Sequence, residues 1–140
     1  MLKREALTHP LANLSHHEYA ALAEEACSVS DRGDVNVFPR YIPLTTAIRL
    51  VIKIVQRFKP NYEVDFNHVG WTHLKSSIEV RNRIVHPKTI EDLNVSDREI
   101  RETLSAFYWL LALILEVFQL SLDTLNTLKH DLQAAQRHKP

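Results

Sequence analysis

From Asp97 to Lys139 the chain contains neither glycine nor proline. Without a helix breaker, and with Ser96 and Glu99 at capping-box spacing just ahead, this stretch predicts one helix extending past Leu128. A helix of that length leaves little chain for anything but a few shorter helices around it. Only 2 glycines occur in 140 residues, too few for the tight turns of a sandwich or barrel. The expectation is therefore an all-α fold: an up-down helical bundle of four to five helices with a long C-terminal helix, in a single domain spanning residues 1–140.

Capping signals divide the remainder. Residues 1–14 read as a lead-in or a short helix limited by Pro10. Ser15 and Glu18 repeat the capping-box spacing and predict a first helix to about Val29, followed by a turn at Asp31-Arg32-Gly33-Asp34. Pro43 suits the first turn of a second helix, whose Leu44, Ile48, Ile52 and Val55 recur at helical intervals. Lys59-Pro60-Asn61 ends it. A third helix is expected over Val69–Val85, capped by Asn67 and stopped by Pro87.

The last helix is apolar all round between Phe107 and Leu115. This uncharged run is about half of what a membrane span requires, and Glu116 and Gln119 follow it. The expectation is no membrane, but a helix with one face in its own core and another against a second copy of the chain, a homodimer. Basic and acidic residues balance at 17 each, so any nucleic-acid binding must come from a local patch. Cys27 is the single cysteine, which excludes an intrachain disulfide and a cysteine metal site. It reads as an inert buried thiol on a helix. With no apolar stretch of signal-peptide length near Met1, the expected setting is cytoplasmic.

The segment that carries chemistry is Trp71 to Lys88. On a helical wheel Trp71, Leu74, Ile78 and Val85 form one stripe, and Arg81 and Asn82 flank it. An arginine and an asparagine beside a buried stripe require a reason, because burying an unpartnered Arg is costly. Asn82 and His86 are one helical turn apart. His86 precedes Pro87, which disfavours helical backbone there and lets the chain swing the imidazole toward Arg81. Lys75, Arg83 and Lys88 lie nearby in sequence, a candidate basic patch.

Arg81-Asn82-Arg83-Ile84-Val85-His86 resembles the Arg-Asn-x-x-x-His motif of HEPN domains, helical domains many of which are endoribonucleases. The resemblance covers about residues 40–130 in architecture and six residues in motif. It implies metal-independent RNA cleavage with Arg81, His86 and Asn82 as catalytic residues, and Arg83, Lys88 and Lys75 as RNA-binding residues. It also implies a dimer that assembles one site from two motifs, no cofactor, and a toxin or effector role with an antitoxin protein as partner. One HEPN subgroup carries a tyrosine two residues after the histidine, where nucleotide transfer inactivates the toxin. Lys88 stands there in this chain, which argues against that mode of regulation.

The motif's chemistry is sound in its own right. Histidine exchanges protons near neutrality, and arginine forks onto two phosphate oxygens. Two other readings compete. One is structural, with Arg81 bonded to helix-end carbonyls and His86 as a C-cap. The other is a non-catalytic HEPN-like dimer that binds RNA, nucleotide or a protein. His16-His17, His68, His73, Asp31 and Asp34 lack metal-ligand spacing, and Trp71, Tyr108 and Trp109 read as core.

Overall fold

The computed structural model of the chain describes residues 13–137. In order, these form α1 (His16–Ala23), β1 (Glu25–Val29), β2 (Val35–Pro39), α2 (Leu44–Phe58), α3 (Val69–Val85), a 3₁₀ turn (Ile90–Leu93) and α4 (Asp97–Arg137). The helical starts and stops follow their capping chemistry. Ser15 and Glu18 form the expected capping box at α1, and Ser96 and Glu99 exchange the same bonds at α4. Pro43 sits at the N-cap of α2 and Lys59 at its C-cap. The cap of α3 is His68 rather than Asn67, its Nδ1 accepting from the Gly70 N–H at 3.0 Å. The expected lead-in over residues 1–14 lies almost wholly outside the described residues.

The all-α expectation fails at Glu25. The first helix does not run to Val29 but stops at Glu24, which adopts a left-handed conformation (φ 58°, ψ 37°) and returns its N–H to Ala20 and Ala21. The next five residues pair with β2 in an antiparallel hairpin, Cys27 opposite Val37 and Val29 opposite Val35. The reason lies in β2. Val35, Val37 and Phe38 favour extended backbone, and a partner strand satisfies backbone groups that a continuing helix would otherwise have satisfied. The intervening turn is where composition placed it. Ser30 and Asp34 close it at 2.9 Å, and Gly33 takes a positive φ of 85°. Cys27 is accordingly an exposed strand residue, not a buried helical thiol.

The described chain divides into two compact units. One unit holds α1, the hairpin, α2 and α4 from Val117 onward. Its core is one face of α2, where Ile48, Val51, Ile54 and Val55 are buried, together with Leu22, Tyr62 and Val117. Glu18 pairs with Arg57 across this unit, and that bond, with those from Ser15, pulls its carboxyl down to about 2.

The second unit, Val64–Glu116, carries α3, the 3₁₀ turn and the first half of α4. Aromatic packing sets its N-terminal end. Trp71 is buried, 5.8 Å centre to centre from Trp109 and 4.8 Å from Phe66, and the His68 ring stacks on Trp109. Gly70 makes this approach feasible. A Cβ at Gly70 would overlap the Cβ and ring of Trp109. Trp71 and Leu74 are buried as the wheel indicated, but the stripe surfaces further along, and Val85 is exposed.

By length and composition α4 could also cross a membrane, and most of its apolar stretch is not buried within the chain. Counting only the uncharged run understated this. Ala106, Leu113 and Val117 mark a buried face, whereas Tyr108, read as core, is 65% exposed.

The packing at Gly70 predicts the sign of a substitution. Alanine should favour the helix by about 1 kcal/mol on propensity alone. Overlap with Trp109 should outweigh that, so Gly70→Ala should destabilise the protein by about 1–3 kcal/mol in urea unfolding. A stabilised variant would show that α3 and α4 are not in such close approach.

Candidate functional site

The last two turns of α3 carry the motif, and all three of its fixed residues are exposed. Arg81 Nη1 donates to Asn82 Oδ1 at 3.1 Å. His86 is the C-cap residue. Its backbone (φ −128°, ψ 61°) has left the helix, as the residue before Pro87 must, while its N–H still reaches the Asn82 carbonyl at 3.0 Å. Asn82 thus touches both other members, Arg81 through its side chain and His86 through its backbone. Among the described residues the His86 imidazole has no hydrogen-bond partner, and it is not bonded to Arg81. The premise that Arg81 is buried fails for the single chain.

The segment after His86 is fixed by Asp92. Its Oδ2 accepts from the backbone N–H groups of Lys88 and Thr89 at 2.8 and 3.1 Å. These bonds, that to Lys88 first, hold its carboxyl below the ordinary carboxylate value. The Lys88 side chain is exposed.

The proposed basic patch does not gather on one face. Arg83 follows Arg81 by two residues, about 200° round the helix, and Lys75 precedes it by six, about 120° away. Arg83 is already engaged: its Nη2 donates to Glu99 Oε1 at 2.9 Å and to the Asn94 carbonyl at 3.0 Å. Glu99 accepts from Ser96 as well, and the Ser96 backbone N–H, followed by its hydroxyl, depresses its carboxyl most. Arg83 therefore ties the end of α3 to the start of α4. Arg81 faces a different groove.

That groove is a feature the sequence reading missed. A cavity of about 370 Å³ opens beside Arg81, and its apolar wall includes Val80, Ile84, Val95, Ile100 and Leu104. Ile84, Val95, Ile100 and Leu104 are exposed around it. The available signal was the apolar character of Ile84 and Val85 at the very end of α3, opposite Ile100 and Leu104 at the start of α4. Among the described residues no cluster of His, Cys, Asp or Glu is arranged to hold a metal ion.

Comparisons with protein families, with curated proteins and with solved structures give no match for this chain.

The two arginines should separate in experiment. Arg83→Ala should lower stability by up to about 1 kcal/mol, the range of a partly exposed ion pair. It should leave the salt dependence of RNA binding unchanged. A reduced salt slope at unchanged stability would make Arg83 a phosphate ligand instead.

Proposed function

We propose that this protein is a metal-independent endoribonuclease of the HEPN type, acting as a homodimer whose two motifs build one site. The observation that supports it most is the contrast between neighbours. Arg83 is committed to an ion pair, whereas the Arg81 guanidinium contacts only Asn82 and the His86 imidazole is unengaged among the described residues, both exposed at the end of α3. A structural arginine or a side-chain cap would be bonded to the fold. These two are held in place by Asn82 and by Pro87 and left available.

RNA supplies its own nucleophile, the 2′-OH next to the scissile phosphate. In the proposed reaction one His86 accepts the 2′-OH proton as the 2′ oxygen bonds to phosphorus. The 5′ oxygen of the next nucleotide leaves and takes a proton from the partner's His86. The products are a 2′,3′-cyclic phosphate and a 5′-OH end. Arg81 would bind the two non-bridging oxygens, whose negative charge grows in the transition state. One chain provides a single such histidine, and acid and base roles require two. A two-fold dimer supplies the second. By this reading Lys88 and Lys75 contribute charge along the RNA path, and the protein serves as the toxin or effector of a prokaryotic toxin–antitoxin or antiphage system.

The reading is tested with purified protein and single-stranded RNA in EDTA. Cleavage should persist under chelation and yield cyclic phosphate ends. His86→Ala should lower the rate on the order of 100-fold or more, the size of a proton-transfer role. Arg81→Ala should lower it by about 100- to 1000-fold, and Arg81→Lys should rescue only part, because lysine lacks the fork. Folded, dimeric His86→Ala protein that cleaves like wild type would leave binding without catalysis as the surviving reading.

A further inference from the structure

The groove beside Arg81 lies wholly within the second unit, and its lining is of two kinds. Val80, Ile84, Val95, Ile100 and Leu104 present alkyl groups, and Arg81 is the one charged residue among those that line it. Ile84, Val95, Ile100 and Leu104 are 36% to 50% exposed, so these side chains border the space without filling it. Other hydrogen-bonding groups are scarce. The Ser77 hydroxyl already donates to the His73 carbonyl at 2.7 Å, and Thr103 supplies the other hydroxyl of the lining. Arg81 gives one Nη1 bond to Asn82, which leaves the rest of its fork for a ligand. The cavity volume, about 370 Å³, is that of a small-molecule cleft.

We propose that this groove binds a medium-chain alkyl carboxylate, with the chain along the aliphatic wall and the carboxylate forked by Arg81. Charge and chemistry select this class over a nucleotide. A carboxylate accepts two parallel N–H···O bonds from a guanidinium. An alkyl chain asks nothing of walls that offer almost no donors or acceptors, and each buried methylene strengthens the complex. A nucleobase would set several polar edge groups against alkyl side chains, where every unpaired group costs free energy. It would also find no aromatic ring among the lining residues on which to stack.

The same ligand would regulate RNA cleavage, and this part rests on the ribonuclease reading above. One guanidinium cannot fork a carboxylate and an RNA phosphate at once. The bound carboxylate therefore competes with RNA, raising KM and leaving kcat unchanged.

Calorimetric titration of the purified protein with hexanoate, octanoate and decanoate, each below its micelle concentration, reads the site. Affinity should rise on the order of tenfold for every two methylenes. Decylammonium has a chain of the same length and the opposite charge, and should bind about tenfold more weakly than decanoate, or weaker still. Arg81→Ala should remove that preference. Leu104→Asn, polar and of similar size at a half-exposed position, should weaken decanoate by about tenfold. No decanoate binding at millimolar concentration, equal affinity along the acid series, equal affinity for decylammonium, or decanoate binding untouched by Leu104→Asn would each overturn the proposal. Adenosine monophosphate bound more tightly than decanoate, and lost in Leu104→Asn, would overturn it in favour of a nucleobase. The two readings fail separately. Decanoate bound through Arg81 and Leu104 in a protein that cleaves no RNA upholds the site and refutes the ribonuclease. Cleavage without decanoate binding refutes the site and leaves the ribonuclease standing. Where both occur, decanoate should inhibit competitively, and cleavage unaffected by saturating decanoate would overturn the regulation.

Discussion

α4 carries more apolar surface than one chain of this size covers, and the rest of the second unit is arranged around that excess. The helix spans Asp97–Arg137 without a break. One of its faces holds Ala106 and Leu113 in the core, and Trp109 packs against α3 beside Gly70. Another, from Leu104 to Leu115, stands in solvent. Apolar area left in water is unfavourable, and this face is not covered by the chain itself. The stripe on α3 is buried at Trp71 and Leu74 but open at Val85. The aromatic cluster closes one end of the unit, and the motif occupies the end left open.

That open end separates two arginines that look equivalent in sequence. Arg81 and Arg83 lie on opposite sides of one helix. Arg83 commits its Nη2 to Glu99 and the Asn94 carbonyl and fixes the helix. Arg81 keeps most of its donors free beside an apolar wall. A guanidinium near apolar side chains is less well hydrated than one in open water, and a phosphate ion pair formed there is stronger.

The sequence was most legible where local chemistry decides the outcome. Two Ser-x-x-Glu boxes, Pro43 and Pro87 located the helical limits, because each satisfies or removes specific backbone groups at a helix end. The hairpin was not legible. Glu24 to Val29 contains no breaker, and its strand conformation is dictated by Val35–Pro39, a non-local pairing that helical periodicity cannot register. Cys27 was misplaced for the same reason. At the motif, the departure of the backbone at His86 followed from Pro87. The bonding of Arg83 did not, since Glu99 is distant in sequence. Tyr108 was read as core because an apolar run does not itself reveal which of its faces a single chain can cover.

Complementation between two inactive chains tests most directly whether two motifs make one site. Arg81→Ala and His86→Ala chains, co-refolded, form mixed dimers with one intact arginine and one intact histidine. The composite site predicts RNA cleavage by the mixture above that of either homodimer, in proportion to the mixed species. A mixture no more active than its two parents, at a confirmed content of mixed dimer, would contradict it.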